Sequence, residues 1–187
     1  MQKKSNKIDK ILDEATLLLQ SHGDFSVTMR KVASLCDMSL SNLQYYFKNK
    51  DELLKAMADK YFQQCLNGLQ ESPTVESEDD LKAFITAQFS AVMEVSDMCR
   101  IFREYWAISS RNAQIESYLK RYYTNVVDIL GDKLNPIAKD KECLSAAIAL
   151  LISLIEGYSV TAHSMPVNHD GMVVLTHKTT LSILQGS

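Results

Sequence analysis

The feature that most constrains this chain is how rarely its helical periodicity is interrupted. Its 187 residues hold three prolines and six glycines, at 23, 68, 73, 131, 136, 157, 166, 171 and 186. Between these breakers, apolar residues return every three or four positions, the period of one helix face. Ile8, Ile11, Leu12, Ala15, Leu18 and Leu19 form the first stripe, which ends at His22-Gly23. Phe25-Ser26-Val27 reads as a short connector, and Thr28 can cap a second helix that buries Met29, Val32 and Ala33. A four-residue break follows, and Ser39 can cap a short third helix over 40–47. Asn49 with Glu52 three positions later gives a capping-box start to a fourth, striped from Leu53 and Leu54 to Leu66 and Leu69. Residues 70–80 are acidic, carry the first proline and show no period, so they read as a connection between modules. Further stripes run through Leu81, Phe84, Ile85 and Phe89, through Ile101, Phe102, Tyr105 and Trp106, and through Ile115, Leu119, Val126 and Leu130. Residues 142–165 form the most apolar helix, and a last one covers about 171–184. The expected fold is all-α, with about nine helices.

Composition adds bounds. Hydrophobic content of 46% is ordinary for a globular core. The sequence reading finds no run of about 20 apolar residues, and so expects no membrane partner. The basic start MQKKSNKIDK is interrupted by Asp9, Asp13 and Glu14, unlike a signal peptide. Cys36, Cys65, Cys99 and Cys143 are widely spaced, which fits reduced thiols and a cytoplasmic location. The net charge of −3 disfavours nucleic acid until its distribution is read. Residues 1–60 hold ten Lys/Arg against eight Asp/Glu, whereas the remainder holds ten against fifteen. A mildly basic N-terminal module joined to an acidic body is the result.

Two short helices across a tight turn, the second opening with small polar residues, fit a helix-turn-helix, with a packed corner of a helical protein as the alternative. In the first reading Val32, Ala33, Leu43 and Phe47 lock the pair, and Leu40, Ser41, Asn42, Gln44, Tyr45 and Tyr46 stand outward. A helix about 10–12 Å across enters a major groove about 12 Å wide. Asn and Gln can read adenine there, and a tyrosine hydroxyl or lysine ammonium can hold a phosphate.

The stretch TMRKVASLCDMSLSNLQYYFKNKDELL, residues 28–54, resembles the DNA-binding segment of TetR-type transcriptional regulators. The likeness spans roughly residues 6–55: the leading helix, the threonine cap, the R-x-V-A step, the S-x-x-x-L-x-Y-x-F recognition helix and the K-x-K-D-x-L-L start of helix four. Three positions depart from the usual pattern. Asp37 stands where glycine is common, calling for a residue that tolerates left-handed backbone angles. Leu40 replaces a common polar residue and either meets a thymine methyl or packs, and Tyr46 replaces a frequent histidine. The resemblance implies phosphate contacts at Thr28, Tyr45, Tyr46 and Lys50, and base-edge contacts at Arg30, Leu40, Ser41, Asn42 and Gln44. By the same resemblance, Lys3, Lys4 and Lys7 are expected to extend along the DNA backbone.

It also implies two domains: 1–54 for DNA, and 55–187 as a helical body for effector binding and dimerisation. The body segments REYWAISSRN (103–112) and LISLIEGY (151–158) are loosely similar to BetI-type repressors. An effector pocket is expected among Phe89, Met93, Phe102, Trp106, Tyr122, Tyr123 and Tyr158, with Arg103, Glu104, Glu156 and His163 as polar groups. Glu156, inside an apolar run, calls for a partner, a ligand or an exit to solvent. The last two helices are expected to pair with a second copy: Ala146, Ala147, Ala149 and Gly157 permit close approach, and Leu150, Leu154, Val174, Leu181 and Ile183 supply apolar contact. The resulting expectation is a dimeric, ligand-responsive repressor on palindromic double-stranded DNA, with no cofactor and no metal. The alternatives are a dimeric helical adaptor, or an activator without small-molecule induction. An enzyme is disfavoured, because no HExxH, Walker loop or GxSxG accompanies the four cysteines and His163, His169 and His177.

Overall fold

The computed structural model describes residues 2–94, 96–164 and 166–187, with side chains at 6–90, 101–162, 164 and 166–187. Among these described residues nine α-helices follow in order: α1 Gln2–His22, α2 Met29–Leu35, α3 Leu40–Tyr46, α4 Lys50–Glu71, α5 Glu78–Glu94, α6 Ser96–Ser109, α7 Ala113–Leu134, α8 Lys141–Thr161 and α9 His169–Gln185. Three single-turn 3-10 helices, Asp24–Ser26, Asn135–Ile137 and Ala162–Ser164, join neighbours, and no strand occurs among the described residues. The expected caps are in place: Thr28 accepts from the Lys31 N–H, Ser39 from Asn42 and Asn49 from Glu52. Glu52 reaches back to the Lys48 N–H at 3.0 Å, one residue before the cap itself.

The chain divides into two compact units. The first joins the residues through Cys65 to Arg100–Lys120, so it includes more of the chain than the 1–54 segment expected to form the DNA-binding domain. Its core begins with Ile11, Leu19, Val32, Leu43, Leu53 and Leu54, all at most 2% exposed. An aromatic cluster completes it: Phe62 has ring centroids of Phe102, Tyr105 and Tyr118 at 4.9, 5.3 and 5.6 Å.

The second unit comprises Leu66–Cys99 and Arg121–Ser187. Leu81, Ile85, Phe89, Leu130, Leu134, Ala147, Leu151 and Leu184 make its centre. Two expectations need correction here. The 70–80 connection belongs inside this unit and ends earlier than its acidity suggests. Ser77 and Asp80 cap each other, so α5 starts at Glu78, and buried Val75 donates its N–H to the Lys133 carbonyl at 3.1 Å. The second concerns α8, which is long and apolar enough to cross a membrane by length and composition. Ser145, Ser153 and Gly157 interrupt the run and hide it from a search for continuous apolar residues. Here α8 packs on α9 and α5.

Candidate nucleic-acid interface

The reading head is built by local chemistry. α2 and α3 are short, and the turn between them is made at Asp37, whose φ of 56° lies in the left-handed region. Aspartate tolerates that region better than most residues with a side chain, which answers the missing glycine. Lys10 of α1 holds the turn from outside, reaching Asp37 Oδ2 and the Cys36 carbonyl at 3.5 Å each.

Leu43 and Phe47 are buried, so α3 turns its remaining face outward. Ser41, Asn42 and Gln44 are exposed, Tyr45 is 71% exposed, and Leu40 and Tyr46 are half-buried. The Tyr45 and Tyr46 rings meet edge to face at 5.2 Å, which limits where each hydroxyl can go. Thr28, the cap of α2, and Arg30 on its first turn are exposed. Eight of the nine expected DNA-contact residues thus lie exposed or half-buried on or beside one short helix pair. Among the lysines of the N-terminal arm, Lys7 is exposed, while the Lys3 and Lys4 side chains lie outside the described residues.

Lys50 is placed differently. Its ammonium lies 2.8 Å from Asp24 Oδ1 and donates to the Asp24 carbonyl at 2.7 Å. Arg111, from the turn after α6, meets Asp24 Oδ2 at 2.6 Å and stacks over the Phe25 ring at 5.3 Å. Glu104 accepts the Asp24 N–H at 2.8 Å, and Asn112 donates to Asp51 at 2.9 Å. Burial alone would raise the Asp24 carboxyl, but the hydrogen bonds and charges of Lys50 and Arg111 outweigh it and hold its pKa below the usual carboxylate value. Sequence reasoning missed Asp24 and Arg111, because neither falls on a helical stripe. The one available signal was Phe25, an aromatic outside every stripe, which is 86% exposed while its acidic neighbour is buried.

The residues expected to bind an effector fall in both units. Phe102 is part of the aromatic cluster of the first unit, where Arg103 is exposed and Trp106 is 52% exposed. In the second unit, Tyr123 donates to Glu156 at 2.8 Å and stands edge to face with Tyr122. Tyr158 instead meets Phe89 at 5.3 Å. Two residues apart on α8, Glu156 and Tyr158 therefore face different neighbours. The side chains of Met93 and His163 lie outside the described residues.

Burial raises the Glu156 carboxyl, and the Tyr123 hydrogen bond offsets part of that rise. A raised carboxyl pKa favours the protonated folded state, so its stabilising contribution is greatest at low pH and falls as pH rises through the folded value. Glu156→Gln still accepts from Tyr123 without a charge to desolvate. It is expected to raise the melting temperature at about pH 8 and to change it little near pH 4, read by calorimetry.

Along α8 and α9 an apolar strip remains uncovered. Ala146 and Gly157 are exposed, as are Val160, Val174 and Leu175 at 54, 44 and 51%. Leu150, Leu154, Leu181 and Ile183 are half-buried, the last two also packing on the unit's own core. A groove of about 380 Å³ beside α5, lined in part by Glu78, Lys82 and His177, shares Val174 and Leu181 with this strip.

A capped helix pair presenting a polar outer face on an apolar base has the form of a helix-turn-helix. Residues 11–57 match the family model described as bacterial regulatory proteins, tetR family. An uncharacterized HTH-type transcriptional regulator in the dhlA 5' region of Xanthobacter autotrophicus is 47% identical over 172 residues, 90% of this chain and 85% of that one. The chain belongs to the tetR family of transcriptional regulators. Among solved structures, a putative TetR-family regulator from Mesorhizobium loti matches with a TM-score of 0.80 at 14% identity, covering 97% of this chain and 96% of that one. AibR in complex with isovaleryl coenzyme A and operator DNA matches with a TM-score of 0.67 at 12% identity, covering 94% and 98%. At such identities these two likenesses concern the fold.

Proposed function

We propose that this regulator is a ligand-responsive repressor that binds a palindromic operator as a homodimer in the cytoplasm. The observation that carries the DNA part is α3, whose Ser41, Asn42, Gln44 and Tyr45 are exposed while Leu43 and Phe47 anchor it. Arg30, Leu40, Ser41, Asn42 and Gln44 meet base edges; Thr28, Tyr45 and Tyr46 hold phosphates. The uncovered strip of α8 and α9, including Ala146, Leu150, Leu154, Gly157 and Val174, supports pairing with a second copy. Two-fold pairing sets the recognition helices about 34–36 Å apart, one DNA turn, and so calls for a palindrome. AibR, caught with both an acyl coenzyme A and operator DNA, supports effector control on this fold. For this chain the body from residue 55 onward takes the effector. α4, which contributes residues to both compact units, carries the change to the 1–54 reading segment. Effector and operator then weaken each other by the same coupling free energy.

Footprinting and fluorescence anisotropy on DNA flanking the gene test this reading. One protected palindrome is expected, with Asn42→Ala or Gln44→Ala weakening it by about 1–3 kcal/mol at unchanged dimer stability. A chain that retains no specific fragment at moderate salt would refute it.

A further inference from the structure

We propose that Asp24 is a positioning residue for DNA reading, and that Lys50 acts through it rather than on a phosphate. The inference rests on the DNA-binding reading and concerns how the head is held. Asp24 lies just before α2, and Lys50 opens α4 just after α3. Their contact, 26 residues apart in sequence, ties together the two chain ends that enter and leave the helix-turn-helix. Everything that touches DNA in the proposed function, from Thr28 to Tyr46, sits inside that closed segment.

The chemistry commits Lys50 inward. The ammonium donates an N–H to the Asp24 carbonyl at 2.7 Å and stands in an ion pair 2.8 Å from Asp24 Oδ1. Moving Lys50 to a phosphate would strip a partner from a carboxylate whose side chain is only 10% exposed. The rest of the site reinforces the clamp. Arg111 takes the other carboxylate oxygen at 2.6 Å, and Glu104 takes the Asp24 N–H at 2.8 Å. Gly23, with φ of 74°, lets the chain turn there, and a Cβ on it would stand 3.3 Å from Glu104 Oε1. Asn112 binds Asp51, so the first two residues of α4 are held, one directly and one through Asp24, by the turn at 111–112.

Salt dependence separates positioning from phosphate binding. Removing one lysine that pairs with a phosphate flattens the slope of log affinity against log salt by about 0.9, twice that in a dimer. Lys50→Met, Asp24→Asn and Arg111→Met, checked for unchanged helicity and dimerisation, are titrated with the footprinted operator and with random-sequence DNA from low to moderate salt. The expected result is roughly tenfold weaker operator binding for each, with the wild-type slope and unchanged affinity for random DNA. The Lys50→Met/Asp24→Asn double variant is expected to be no weaker than the worse single one. A Lys50→Met slope flattened by one to two units, with Asp24→Asn and Arg111→Met at wild-type affinity, would overturn the proposal, as would strictly additive effects in the double variant. If Asp24→Asn fails to fold, Lys50→Met and Arg111→Met decide on slope alone. Failure of the wild-type protein to bind any operator would instead sink the DNA-binding reading itself.

Discussion

Replacing Phe62 with alanine is expected to destabilise the protein by about 3–5 kcal/mol, the range for deleting a fully buried aromatic. Phe62 is 0% exposed and stands at the middle of a ring cluster drawn from three helices, with Phe102 and Tyr105 of α6 and Tyr118 of α7 within 5.6 Å. Two of these neighbours are fixed by their own polar ends. Tyr105 donates its hydroxyl to the Leu54 carbonyl at 2.8 Å, and Tyr118 donates to Ala58 at 3.3 Å. Burial raises the Tyr105 phenol, so it keeps its proton and the bond persists at any ordinary pH. Neighbours anchored in this way cannot collapse into the space left by the ring, which puts the loss at the upper end of the range. Phe62→Leu, which keeps most of the volume, is expected to lose less than half as much. Urea unfolding followed by near-ultraviolet dichroism measures both. A loss under about 1.5 kcal/mol for alanine would mean that the cluster closes over the gap.

Lys133→Met is expected to cost about 2–3 kcal/mol and to loosen the chain before α5. Lys133 is only 7% exposed, an unusual place for an ammonium. It donates to the Gln70 carbonyl at 3.1 Å and to the Ser72 carbonyl, while its own carbonyl accepts from Val75. The methionine keeps the buried stem and removes only the charged donor, so the measured loss reports those hydrogen bonds rather than a cavity. Charge-assisted bonds of this kind contribute roughly 1.5–3 kcal/mol. Hydrogen exchange adds a local readout: the Val75 amide is expected to exchange faster in the variant, while the amides of α8 and α9 keep their order of protection. Unchanged exchange at Val75 would show that the segment is held by burial of its valine alone.

The two residues differ in how readable they were. Phe62 falls on the α4 stripe, and its burial follows from period alone. Lys133 lies beside the α7 stripe, and nothing in its spacing distinguishes it from a solvated lysine. Phe102, an aromatic expected in an effector pocket, is half-buried and stands 4.9 Å from Phe62 in the ring cluster of the first unit. Glu156 stands out in the sequence because its anomaly is local, a charge within the most apolar helix. Its partner Tyr123 stands 33 residues earlier in the chain, and spacing could not single it out among the tyrosines.

What the sequence by itself determined is everything set by near neighbours: the helices, the Thr28, Ser39 and Asn49 caps, the left-handed turn at Asp37, and the outward polar face of α3. These depend on contacts between residues three or four positions apart, so period and side-chain chemistry suffice to state them. Only the tertiary structure decided where the long charged side chains end. Lys50 turns to Asp24, Arg111 joins them from 87 residues away, and Lys133 enters a loop rather than water. A lysine or arginine stem reaches in many directions at similar local energy. Its partner is chosen by which distant carboxylate or carbonyl the folded core brings within reach and shields from solvent.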